Sequence, residues 1–227
     1  MGKKRVFAAL LALAVTVGSL VLPARAAFTD TTGHWAETAI TKWSEEYSII
    51  NGYEDGTFRP DNSITRGAFA GILDRFLKFQ STSPAGTFSD LSGNYWEDAI
   101  LKLHASGVTW QQRQALAGDT ITRQQAVTMI ARAFNISGES ATVYYLDADQ
   151  VADYAKPYLA EMSALGYITD SSDGYFRPTD ASPGREIVTI LDNMIEVLIR
   201  PAPPTPRTWR ARYGQRGGGG LPPGHDH

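Results

Sequence analysis

Cysteine is absent from all 227 residues. That excludes disulfides, thiol nucleophiles and cysteine-ligated metal, so any fold must rest on burial alone. Histidine is nearly absent as well. His34 and His104 stand isolated, and His225 and His227 close the chain. No G-x-S-x-G, H-E-x-x-H or phosphate-loop pattern occurs. Asp147, Asp149 and Asp153 bring a calcium loop to mind, but an EF-hand needs glycine at Ala152 and glutamate at Tyr158. Carboxylates abound without any pair that stands out as catalytic. The expectation is a protein that is not an enzyme and carries no metal or cofactor.

Positive charge is also scarce where it would matter. Residues 27–200 hold 13 Lys/Arg against 23 Asp/Glu, a balance of −10. Such a body is a poor partner for nucleic acid or an anionic membrane surface. An anion would have to be held by local donors, not by the global field.

Long apolar runs are missing too, with one exception. Lys3, Lys4 and Arg5 precede the apolar stretch 6–22, and Ala24-Arg25-Ala26 offers a small-x-small cleavage site. This order predicts a secretory signal peptide at 1–26 and no membrane span in the mature chain. At the other end, 201–227 is rich in proline, glycine and arginine, with four arginines against one aspartate. It reads as a disordered tail that could engage a surface protein partner.

Between these ends one unit is written three times. "FTDTTGHWAETAI" (28–40) aligns without gaps to "FSDLSGNYWEDAI" (88–100), and "YLDADQVADYAKPYL" (145–159) echoes both with an insertion. "NGYEDGTFRPDNSITRGAFAGILDRFL" (51–77) likewise matches "SSDGYFRPTDASPGREIVTILDNMI" (171–195). The middle copy keeps "DTITRQQAVTMIARAF" (119–134) but departs from the DG-x-F-R-P loop. The repeats are bounded at 27–80, 81–140 and 141–200.

Each copy reads as helix, loop, helix. Trp35, Ala39, Ile40, Trp43 and Tyr47 recur at helical spacing, as do Phe69, Ile72, Leu73, Phe76 and Leu77. Asn51-Gly52 fits a helix C-cap. Thr65 and Thr122 fit N-caps, the latter with Gln125 as a capping box, and Ser182-Pro183 fits a cap followed by proline at the first helical position. Asp30, Asp90 and Asp147 precede helices and fit caps as well. A lone helix pair cannot bury both apolar faces, so the three are expected to share one core. The predicted fold is all-α, three helix-loop-helix repeats in a pseudo-threefold bundle.

Arg66 and Arg123 directly follow the capping threonines. A cation at the positive end of a helix is unfavourable for the empty helix, but an exposed N-terminus with unpaired N–H groups and an arginine fork suits a carboxylate. The competing reading is that both arginines pair with acids of a neighbouring repeat.

The order F-x-D, G-H-W-A-x-x-A-I, N-G-Y-x-D-G-T-F-R-P, I-T-R strongly resembles the S-layer homology domain, in three copies over about 28–199. The resemblance implies a spindle-like helical domain. It also implies an exported protein held on the bacterial cell wall or surface layer through secondary cell wall polysaccharide, a peptidoglycan-linked glycan often bearing pyruvate ketals. Carried over by motif, the polysaccharide-binding positions are Arg66 and Arg123; Asp30, Asp90 and Asp147; Trp35, Tyr95 and Tyr154; and Gly52, with Gly166 a looser match. The third copy departs: Gly184 or Pro183 takes the arginine position, depending on register, and Arg185 would point elsewhere. Fewer than three equivalent sites follow. The alternative function is a structural or adaptor protein whose repeats bind protein.

Overall fold

A computed structural model describes residues 28–109, 113–137, 143–168 and 173–199, with side chains of the last helix described through 195. The segments expected to be a signal peptide and a tail lie outside the described residues. Among those residues there are six α-helices and no β-strand, so the fold is all-α. The helices are α1 (Glu37–Thr41), α2 (Arg66–Leu77), α3 (Glu97–Ala105), α4 (Arg123–Ala133), α5 (Lys156–Ala164) and α6 (Gly184–Ile199). The chain divides into two compact units, one ending at Pro60 and one beginning at Asp61.

In the first unit, α1 continues into a π-helical turn, Lys42–Glu46. Phe28, Ile40, Trp43, Ile49 and Ile50 are buried there, as the helical spacing of Ile40 and Trp43 requires. The helix does not stop at Asn51-Gly52. Ser48 takes the left-handed conformation (φ 54°), and the N–H groups of Ile49 and Ile50 then both reach the Trp43 carbonyl. That satisfies a terminal carbonyl four residues earlier than the glycine suggested. Gly52 has another reason to be glycine: its φ is +63° and a Cβ would collide with the Phe28 ring.

In the second unit, α2 packs on α3 and on α4, and α4 packs on α5. Phe69, Ile72, Leu73, Ile100, Leu103, Ile121, Val127, Ile130, Leu159, Ile187, Val188 and Leu191 are buried. The α2–α3 seam depends on two glycines one turn apart. A Cβ on Gly67 or Gly71 would overlap the Trp96 ring. The indole therefore lies directly on the α2 backbone, and the Arg75 guanidinium sits 5.9 Å from its centroid one further turn along. This explains why the first copy reads T-R-G-A: a side chain at Gly67 would displace the indole.

The starts of α2, α4 and α6 are tied into a closed ring by backbone hydrogen bonds. Ile64 N–H donates to Ser182 O at 3.0 Å, Ser182 N–H to Ile121 O at 2.8 Å, and Ile121 N–H to Ile64 O at 3.0 Å. A second set runs the opposite way round. Arg66 N–H donates to Asp119 O, Arg123 N–H to Asp180 O, and Gly184 N–H to Asn62 O. This fixes the register in the third copy: Gly184 stands where Arg66 and Arg123 stand. Pro183 sits immediately before α6, not inside it, so Ser182 is not the cap.

Candidate functional site

Each repeat places its F-x-D aspartate on a loop of the same repeat. Asp30 accepts from the N–H groups of Phe58 (2.8 Å) and Arg59 (2.7 Å). Asp90 accepts from Ala115 (2.7 Å) and Leu116 (2.8 Å), and Asp147 from Phe176 (2.9 Å) and Arg177 (2.7 Å). These carboxylates bind loop N–H groups, not helix starts, which corrects the capping expectation. The second residue of every loop pair is left-handed: Arg59 at φ 56°, Leu116 at 49° and Arg177 at 55°. A left-handed residue turns two successive N–H groups toward one point, a natural seat for a carboxylate. The middle copy, divergent in sequence, keeps this latch. Its signature was the aspartate at the far end, not the loop residues.

Burial alone would push the Asp90 carboxyl up, but the Ala115 and Leu116 N–H groups outweigh it, with Arg66 adding to them, and hold the group below its ordinary value. Asp55 is held at about 2 by the Thr57 hydroxyl and the Arg59 guanidinium. In the third copy Arg177 pairs with Asp173 as Arg59 does with Asp55.

The aromatic positions share one property. Trp35 is 63 % exposed, Tyr95 84 % and Tyr154 47 %. Trp35 therefore leaves the apolar stripe that its spacing suggested; it lies before α1 begins, while Ala36, Ile40 and Trp43 are buried.

The two arginines part company. Arg66 is buried, at 5 % exposure, with burial pulling its guanidinium down and Asp119, Asp90 and Tyr154 pulling it up. The Tyr154 hydroxyl is in turn pushed up by burial and pulled down by Arg132 and Arg66. The first copy's arginine thus lies within electrostatic reach of the second copy's aspartate and the third copy's aromatic. Arg132, which motif reasoning missed, joins them: its Nη1 donates to Thr109 O at 3.3 Å and its guanidinium lies 5.4 Å from the Tyr158 centroid.

Arg123 is committed elsewhere. Its Nε donates to Phe176 O at 2.6 Å, Nη1 pairs with Glu186, and the guanidinium lies 5.1 Å from the Phe176 centroid. This is the neighbouring-acid arrangement. Arg185 pairs with Asp61. Gly166, the looser glycine match, has φ +74° just beyond α5, and a Cβ there would meet open space.

The helix starts are not open anion sites. The Arg66 and Gly67 N–H groups reach Asp119 O and Ala117 O, and Ala68 N–H reaches the Thr65 hydroxyl. At α4 the Arg123 and Gln124 N–H groups reach Asp180 O and Pro178 O. Ring closure has used the donors that a lone helix would present. An anion here would have to be met by side chains.

Comparison with known proteins points one way. The S-layer homology domain family matches residues 27–70 and 144–181. The cellulosome-anchoring protein of Acetivibrio thermocellus is 39% identical over 79 residues, 33% of this chain and 17% of that protein. The Surface-layer 125 kDa protein of Lysinibacillus sphaericus is 28% identical over 177 residues, 74% of this chain and 15% of the relative. An amylopullulanase of Thermoanaerobacterium thermosulfurigenes is 24% identical over 177 residues, 74% of this chain but 9% of that protein. The chain thus spans a small part of the curated relatives it matches, and the likeness to the amylopullulanase covers a tenth of that enzyme at most.

Proposed function

We propose that this chain, which the S-layer homology domain family matches at residues 27–70 and 144–181, anchors non-covalently to the bacterial cell wall by binding secondary cell wall polysaccharide. The names of the anchoring and surface-layer relatives support a place at the cell surface. The observation that carries the reading is the exposure of the three motif aromatics, Trp35, Tyr95 and Tyr154, with Arg66 in electrostatic reach of Asp90 and Tyr154.

The chemistry suits an acidic sugar. A pyruvate ketal is a carboxylate fixed on a sugar ring. The Arg66 fork meets the carboxylate, where burial strengthens a charge-assisted hydrogen bond. The exposed Tyr154 ring stacks on the apolar sugar face, and its hydroxyl stays beside the two arginines. Asp90, both oxygens already on backbone N–H groups, positions the loop of this site and keeps lone pairs for sugar hydroxyls. The same three-copy logic supports an approximate threefold relation among the helix starts in the ring.

Co-sedimentation with purified wall sacculi tests this. Binding should vanish when the polysaccharide is stripped, and Tyr154→Ala should weaken it at least tenfold while circular dichroism stays unchanged. Equal pelleting with stripped sacculi would favour the second reading, a surface adaptor binding protein. The commitment of Arg123 to Glu186 is the observation on that side.

A further inference from the structure

Nine residues beyond the helix-start positions 66, 123 and 184 stand Arg75, Arg132 and Asn193. Arg132 Nη1 donates to Thr109 O, and Asn193 Nδ2 donates to Tyr167 O at 3.2 Å. Both side chains are thus tied to the segment that follows the first helix of their own copy. The rings beside the two arginines differ. Arg75 lies by the Trp96 indole, which occupies the space left by Gly67 and Gly71. One copy on, Gln124 and Thr128 stand where those glycines stand, and Ala155 precedes α5 as Trp96 precedes α3. The Gln124 Oε1 accepts from Ala152 N–H at 2.9 Å. With no indole at that place, Arg132 lies by Tyr158 in the first turn of α5. Arg132 is half-buried, and its bond to Thr109 O uses one N–H of the fork and leaves the others. Among the described residues it makes no ion pair, whereas Arg123, Arg177 and Arg185 each hold a carboxylate. Burial pushes the Tyr154 hydroxyl up, and Arg132, ahead of Arg66, pulls it down, so Arg132 is in electrostatic reach of an exposed ring.

We infer, on the anchoring function proposed above, that Arg132 is a further ligand-binding residue: its guanidinium, set by Thr109 O and backed by the Tyr158 ring, receives the carboxylate of an acidic wall sugar that stacks on Tyr154. A carboxylate arriving at Arg132 has no internal acid to displace, so it gains a charge-assisted hydrogen bond without stranding a protein charge. At Arg123 the same ligand would have to remove Glu186 first. The carbonyl and the ring hold the fork in place beforehand, which limits the side-chain entropy lost on binding. The third copy, with Gly184 and Asn193 at the two positions, offers no cation at either.

Titration calorimetry on the full chain tests this. The probe is a methyl glycoside bearing a 4,6-pyruvate ketal, with the same glycoside lacking the ketal as control. The natural chain should prefer the ketal. Arg132→Gln should weaken ketal binding about tenfold or more, the usual loss when a charged hydrogen bond is removed, and leave the control unchanged. Its ketal affinity should also fall less steeply with salt than that of the natural chain. Circular dichroism and melting curves accompany each variant. A folded Arg132→Gln that keeps its ketal affinity overturns the assignment, as does one that loses both glycosides equally, which would mark a structural role. Should Arg132→Gln not fold, Arg132→Lys decides: the ketal affinity must drop with the control unchanged, because the charge stays and the fork is lost. A natural chain that pellets with sacculi but does not prefer the ketal overturns the role of Arg132 alone. One that binds neither glycoside nor sacculi sinks the anchoring function as well.

Discussion

At Asp147 two carboxylate oxygens meet two backbone N–H groups in a buried setting. An amide of the same shape offers one acceptor and turns an NH2 toward the other donor. Asp147→Asn should therefore lower stability by about 3 kcal/mol, within the range for charged hydrogen bonds and an orphaned buried donor. The midpoint of urea unfolding measures it. Asp90 makes the equivalent latch with a carboxyl held below its ordinary value. A depressed folded pKa contributes stability that is complete above the unfolded value, about 3.9, and is lost as pH falls through the folded one. The melting temperatures of the natural chain and Asp90→Asn should differ at pH 7 and converge below about pH 4. A constant difference down to pH 2 would mean the carboxylate charge is irrelevant to the latch.

The contact between α2 and α3 reverses a familiar sign. Glycine to alanine inside a helix normally adds about 1 kcal/mol of helix propensity. At Gly71 the added methyl meets the Trp96 ring, and overpacking of this kind costs about 1–3 kcal/mol. Gly71→Ala should lower the melting temperature, and the same change made on a Trp96→Ala background should raise it. Additive effects in the double-mutant cycle would refute the contact. The helices themselves were legible in sequence, through Ile40 and Trp43 or Phe69, Ile72 and Leu73. Their ends were less so. Ser48 closes its helix without glycine's freedom, because two following N–H groups on one carbonyl offset the left-handed backbone. Leu116 does the same in the middle loop, where Asp90 supplies the compensating bonds.

For the unit beginning at Asp61 the decisive feature left no mark in composition. The ring of Ile64, Ile121 and Ser182 is made of backbone donors and acceptors, which every residue but proline carries. Sequence therefore exposed the arginines and hid the bonds that use up the N–H groups around them. It showed the three aspartates and aromatics but not that Arg66 and Arg123 have different neighbours, since the partner of Arg123, Glu186, comes from the next copy along. Ser182→Pro removes one ring donor and should lower the melting temperature well beyond Ser182→Ala, which deletes only the hydroxyl. Equal shifts would show that the ring bond contributes little.

A closed ring also counts. Each of the three helix starts gives one N–H to each neighbour and accepts one from each, so among the described residues the two sets of ring bonds close on themselves with no place for a fourth. An open-ended stack of repeats can lengthen by adding another copy to its last one. Here an added copy would find every ring position taken, and a lost copy would leave a gap on both sides. Growth in such a lineage must go into loops, chain ends or neighbouring domains, and two additional repeats are less accessible to it than three, which could close a ring of their own.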